Sequence, residues 1–249
     1  LIDKASLLMV PSTYEDGTLY NVLPSGNKAP DETGNHNGYD QTRADFTFSR
    51  GSNLAATRVN SDGLIEKGRE NLLTYSNDFT NAAWNSFTDG VTRAASNEES
   101  PFGDTDTYSV IVNTGSNKHR VGRSSTIDNV STFSIYAKAN GYNYVRMWAF
   151  SGGNTNSRWF NLSDGTTGGG GQIASAIEDA GDGWYRCSIV VDPANSGAVV
   201  FGPAPDETTA AGTANYTGDG TSGIFVTRAQ FEKGLVATDY IETGSTTAQ

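Results

Sequence analysis

From Asn71 onward the chain is written in short runs that alternate apolar and polar residues, and these are separated by clusters of Gly, Asn, Ser and Asp. Side chains on a strand point to opposite faces in turn, so period two predicts half-buried β-strands. "STFSIYAK" puts Phe133, Ile135 and Ala137 on one face and Ser134, Tyr136 and Lys138 on the other. "YNYVRMWAF" sets Val145, Met147 and Ala149 against Tyr144, Arg146, Trp148 and Phe150. "SRWFNLS", "GWYRCSIVVD" (Tyr185, Cys187, Ile189 and Val191 on one side), "GAVVFGP" and "GIFVTRAQFEKG" continue the series, and "TYSVIVNT" and "HRVGRSS" add outer strands. No segment sustains a 3.6-residue period; "NDFTNAAWN" and "IASAIED" are the best short helix candidates. Many short strands at this spacing predict an all-β, two-layer sandwich over residues 71–249.

The first 70 residues read differently. Residues 1–45 hold few apolar side chains and are broken by Pro and Gly, so they could not bury enough surface to fold alone. They are predicted to run as an extended arm that orders against another surface or subunit. Residues 46–70 read as a strand ("DFTFSR", from Asp45), a β-hairpin and a linker. In the hairpin Arg58 and Val59 lead into an Asn60–Gly63 turn, Leu64–Glu66 lead out, and Gly63 can supply a positive φ.

Composition narrows the function. Hydrophobic residues make up 36% of 249, enough for one ordinary sandwich core. The net charge of −11 argues against nucleic acid, whose phosphates need clustered Lys and Arg. One cysteine, Cys187, excludes an intramolecular disulfide framework and a cysteine zinc cluster; mid-strand on an apolar face, it reads as a small buried hydrophobe. No apolar run approaches the ~20 residues that cross a bilayer, so no membrane insertion is expected. "LIDKASLLMVPS" lacks the apolar core and cleavage site of a signal peptide. Four glycines at 168–171 lack the Lys and following helix of a phosphate loop and read as a flexible hairpin tip.

Two resemblances enter on quoted residues. From Asn71 to about Ile241 the chain resembles the jelly-roll carbohydrate-binding-module superfamily, the concanavalin-like and galactose-binding-like sandwiches found beside glycan-degrading enzymes. "NLLTYSNDFTNAAW" looks like that group's opening strand, "FSIYAKA" its central strand, "GDGWYRCSIVV" its Gly-Trp strand and "GIFVTRAQFEKG" its closing strand. "DFTFSRGSNLAATRVNSDGLIEKGRENLL", together with the ending "LVATDYIETGSTTAQ", resembles structural proteins of tailed bacteriophages, of the tail-fibre or appendage type. That second resemblance implies a virion protein with other virion subunits as partners, commonly a homotrimer. The first implies a structural calcium in many members, but Thr80, Thr227 and Arg228 stand where those modules carry acidic residues. Calcium requires oxygen donors such as carboxylates, so no cofactor or metal is expected.

Catalytic constellations are absent from the sequence pattern. No paired carboxylates sit on a predicted strand at glycosidase spacing, which spans roughly 5–10 Å, and no serine lies in a supported nucleophile elbow. His119, beside Lys118, Arg120 and Arg123, reads as a surface or strand-edge residue. What remains is an aromatic and polar face: Tyr136 and Lys138 on one strand, Tyr144, Arg146 and Trp148 on the next, and Trp159 or Arg158 from a third, of which Trp159 is the candidate. Sugar rings stack their C–H faces on flat aromatics, and their hydroxyls pair with polar forks such as Arg. Each of Trp148 and Trp159 has a competing role as sandwich core, and Trp84 and Trp184 match packing positions. The expectation is therefore a non-enzymatic virion appendage protein whose jelly roll is displayed outward and touches a host-cell glycan. A carbohydrate-binding module of a secreted glycan-degrading system, or an enzyme acting on polysaccharide, are the alternatives.

Overall fold

The computed structural model describes residues 8–15, 18–22, 57–59, 65–67 and 69–247, apart from 128, 152–153, 170–173, 192–193 and 212–214. The chain divides into two units, Leu1–Ala56 and Thr57–Gln249. In the first, Leu8–Glu15 (β1) pairs antiparallel with Thr18–Val22 (β2), so the expected arm carries a hairpin of its own. The strand expected over residues 45–50 lies outside the described residues. The second unit starts with Thr57–Val59 (β3) paired to Ile65–Lys67 (β4), Arg58 opposite Glu66 and Val59 opposite Ile65; its Asn60–Gly63 turn also lies outside them.

The remaining strands are β5 (Val91–Ser96), β6 (Thr107–Val112), β7 (Ser116–Asn117), β8 (Val121–Ile127), β9 (Ser131–Asn140), β10 (Tyr144–Ser151) and β11 (Asn154–Asn161). After them come β12 (Thr166–Gly168), β13 (Ser175–Gly181), β14 (Trp184–Val191), β15 (Ala194–Ala204), a short helix α1 (Glu207–Ala211), β16 (Tyr216–Thr217) and β17 (Gly223–Lys233). One sheet has the order β13-β14-β9-β17-β6-β5 and the other β12-β11-β10-β15-β8, with β16-β7 as a small satellite pair. Every pairing is antiparallel.

Eight of these strands nest first with last: β6 pairs β17, β8 pairs β15, β9 pairs β14 and β10 pairs β11. That is the wrapping of a jelly roll, a ribbon folded on itself and rolled into two sheets. The core between the sheets takes one residue in two from each strand, as the alternation predicts. Phe133, Ile135 and Ala137 of β9 meet Val145, Met147 and Ala149 of β10, with Phe160, Cys187, Ile189, Val199, Phe201 and Val226. Burial pushes the Cys187 thiol far up, so it stays protonated packing material.

The two chain ends of the sandwich meet on the six-stranded sheet. At residues 227–230 the register of β17 breaks. The entering chain fills the place beside it: Leu72 N–H donates to Phe231 O at 2.7 Å and Ala229 N–H to Ser76 O at 3.0 Å. The buried Asn71 amide donates to Ala229 O (3.1 Å) and Ile241 O (2.8 Å) and accepts from Leu73 N–H and Phe231 N–H. The C-terminal segment then lies over the outer face of the same sheet. Buried Gln230 accepts from Ile241 N–H at 2.7 Å, and buried Glu232 accepts from Thr238 N–H at 2.8 Å. These bonds explain why polar side chains on that face are buried without cost: each has its partner in the tail.

Three expectations are corrected. "IASAIED" is not helical; it forms most of edge strand β13, with Ile177 packed on the core and Glu178 and Asp179 exposed. An acidic edge strand also discourages pairing with another chain. "NDFTNAAWN" makes only a 3-10 turn, Ala82–Trp84, capped by Asn81, which accepts from Ala83 N–H. His119 is fully buried rather than at a surface: Nδ1 lies 2.6 Å from Gly90 O and Nε2 2.9 Å from Tyr216 O. Its segment is drawn inward by the Asp89–Arg120 bridge and the β7–β16 pair. No helix among the described residues is long and apolar enough to cross a membrane.

Candidate functional site

The six aromatic and polar candidates separate onto the two outer faces of the sandwich. On β10, Val145, Met147 and Ala149 fill the core, which turns Tyr144, Arg146 and Trp148 outward from the five-stranded sheet. Register brings Trp159 to them, since Arg146 is paired across to Trp159 on β11 and to Gly202 on β15. The Tyr144 and Trp159 rings meet edge to face with centroids 5.5 Å apart. Tyr136 and Lys138 point the other way, outward from the six-stranded sheet. Lys138 is ion-paired to Glu98 at 2.7 Å, while Tyr136 lies under Arg186 (5.4 Å) and against Phe102 (5.0 Å). Because β9 and β10 belong to opposite sheets, no single surface holds all six.

Within the five-stranded face, depth divides the residues by role. Trp148 is 4% exposed and covers Ala198 and Val200, with Phe87 packed beside it. Arg146 is 7% exposed, and its guanidinium sits 4.6 Å from the Trp148 ring centre. Tyr144 and Trp159 are half-buried and reach the surface. Trp159 and Tyr144 can therefore offer a flat apolar face to a ring, while Trp148 supports the floor below. Burial lowers the Arg146 guanidinium to about 10, which leaves it cationic at neutral pH. Helix α1 packs against β10, β11 and β15.

Gly168 has a specific function that its place in a glycine run concealed. It closes β12 opposite Trp159, and a Cβ there would come within 1.5 Å of Trp159 Cζ2. The indole lies flat over a position that must lack a side chain, whereas Gly169 faces open space. Gly168→Ala is expected to push Trp159 off its seat. Trp84, Trp148 and Trp184 are at most 4% exposed, so the change should appear as a red shift of tryptophan emission from Trp159 alone, with little loss of stability. Unchanged emission would show that the ring does not depend on this seat. Phe87 and Arg120 also belong to this face: Phe87 sits in a polar, turn-like stretch, and Arg120 in an expected outer strand whose sheet the sequence does not reveal; Arg120 stacks over Phe87 at 5.8 Å.

The corner formed by Asn77, Asp104, Thr227 and Arg228 is closed by its own hydrogen bonds. Asn77 Oδ1 accepts from Thr227 Oγ1 (2.9 Å) and Arg228 N–H (2.7 Å), and the Arg228 side chain reaches Asp104 at 2.6 Å. Arg228 has φ 51°, a left-handed conformation that this network holds in place. A fixed guanidinium on the carboxylate and an amide oxygen already bonded twice do not fit calcium, which needs several unshared oxygen donors. Among the described residues no three His, Cys, Asp or Glu converge as metal ligands.

No protein-family model matches this sequence, and no curated protein matches it. Among solved structures the chain is similar to the enzymatically active domain of tailspike protein 4 of bacteriophage CBA120, at 16% identity and TM-score 0.39. The match covers 67% of this chain and 21% of that one, so the chain corresponds to about a fifth of its length.

Proposed function

We propose that this chain is a structural protein of a tailed-bacteriophage virion, an appendage subunit whose jelly roll is displayed outward and binds a host-surface glycan. One observation carries the reading. At Asn71–Ser76 the chain lies within the six-stranded sheet, and the segment after β17 crosses that sheet's outer face. The aromatic face of Tyr144, Trp148 and Trp159 is on the other sheet, clear of both of these segments. The arm supports the same reading: a polar segment that cannot bury its own core gains order from assembly, and repeated copies supply that surface by symmetry.

The oligomeric state tests this. The full chain is expected to sediment as a homotrimer, and a chain lacking residues 1–66 as a monomer that keeps the cooperative thermal unfolding of the sandwich. A full-length monomer that binds polysaccharide would instead favour a secreted carbohydrate-binding module. Release of reducing ends from a polysaccharide panel would favour an enzyme.

A further inference from the structure

Among the described residues Arg146 is a cation without a counter-ion. Its Nε is buried and unpartnered, and among the described residues no carboxylate pairs with the guanidinium and no acceptor takes a hydrogen bond from it. The Nε atoms of Arg123 and Arg186 are buried without a partner as well, but the outer nitrogens of other arginines have acceptors. Arg123 donates to Thr74 O and Oγ1, Arg186 to Thr238 O, and Arg228 to Asp104. Burying a guanidinium with only a ring face for company forfeits hydration that stacking does not replace in full. In a chain with 28 acidic and 17 basic side chains, a carboxylate partner would have been easy to supply.

A second cation lies on the same face. Arg120 also has a buried Nε with no partner and is stacked over Phe87, which packs beside Trp148. Its backbone is close to Arg146 as well: a Cβ on Gly202, the cross-strand neighbour of Arg146, would lie 3.2 Å from Arg120 Cα. Among the described residues, two aromatic-backed guanidiniums thus stand on this face without carboxylates, Arg146 in register with Trp159 and Arg120 on the far side of Gly202.

We infer that Arg146 and Arg120 form an anion subsite on this face, and that the ligand is an acidic saccharide of the uronic-acid type. Its carboxylate would take the outer guanidinium donors of Arg146, while the C–H face of its ring or of the next sugar lies on Trp159. Resting on the glycan-binding reading above, the inference adds the charge class of the sugar. A planar fork facing a planar carboxylate gives the strongest and most directional pairing such a sugar offers.

The test uses the full chain and three polyuronates (alginate, polygalacturonate and hyaluronan), each compared with its carboxyl-reduced, neutral counterpart. At least one acidic polymer is expected to bind, with affinity falling about tenfold or more on carboxyl reduction, and by a similar factor in Arg146→Met. Arg146→Met keeps the volume of the side chain, and its fold is checked by thermal midpoint. If it does not fold, Arg120→Gln and the wild-type comparison of acidic and neutral polymers decide. Equal binding of an acidic polymer and its neutral counterpart, lost in Trp159→Ala, would overturn the anion subsite and leave the glycan reading standing. Unchanged affinity in a folded Arg146→Met would overturn it too. Binding of no polymer of either kind would overturn both.

Discussion

Asn71→Ala is expected to lower the stability of the sandwich by about 3–5 kcal/mol, and its thermal midpoint by roughly 10 °C. The side chain is fully buried and makes four hydrogen bonds that reach three separate stretches of chain: its own turn at Leu73, β17 at Ala229 and Phe231, and the tail at Ile241. Truncation removes all four together and strands buried backbone groups with no water to replace the amide. An unsatisfied buried donor or acceptor costs about 1–3 kcal/mol, more than a hydrogen bond contributes on balance. Asn71→Asp is the sharper control. It retains both accepting contacts but cannot donate to the two carbonyls, and it buries a charge, so it should be at least as damaging as alanine. Equilibrium unfolding in urea reads both variants. A loss under about 1 kcal/mol for Asn71→Ala would mean that backbone pairing alone joins the chain ends.

Trp84→Ala is the other large effect. The ring is fully buried, 5.0 Å from Phe79 and 6.2 Å from Phe201 between centroids, with the Arg123 guanidinium 5.6 Å above it. Its Nε1–H donates to Tyr75 O at 3.0 Å. Removing a buried tryptophan leaves a cavity that a sheet-on-sheet core cannot close, at about 3–5 kcal/mol. Trp84→Phe restores most of the packing but not the hydrogen bond and should recover all but about 1 kcal/mol. Trp148→Ala provides the contrast. Although only 4% exposed, it belongs to a small cluster with Ala198, Val200 and Phe87 on the outside of the five-stranded sheet, where Phe87 can settle into the gap. It should cost clearly less than Trp84→Ala, and equal costs would refute the separation of an outer cluster from the core.

The strands that the sequence displays openly are those flanked on both sides. In β9 alternation is nearly strict, and in β10, β14, β15 and β17 every second residue stays apolar even where the outer face is apolar too, because one face must be apolar wherever a strand crosses the core. The misread elements lie at edges. β5 ("VTRAAS") passed unnoticed and "IASAIED" looked helical, for a shared reason: an edge strand buries little beyond one side chain, Val91 or Ile177, so periodicity has almost nothing to record. Alanines and acidic residues then bias the reading toward helix.

The site was half legible for a related reason. Alternation identified Tyr144, Arg146 and Trp148 as sharing a face, and the register with β11 puts Trp159, already a candidate, beside Arg146. Alternation cannot say which sheet a strand joins, so Tyr136 and Lys138 were grouped with residues on the far side of the molecule. Phe87, Arg120 and Gly168 come to the face through long-range contacts that leave no local pattern, and His119 was misplaced because its acceptors, Gly90 and Tyr216, are distant in sequence.

The meeting of the two chain ends has a mechanical consequence. Tension applied along the leading segment enters at Asn71, directly beside Phe231, and is handed to the tail through Ile241 within one side chain. Such a load first meets the six-stranded sheet, at interior strand β17. The strands that seat Trp159, β11 and β12, belong to the other sheet, so they are not where the strain enters.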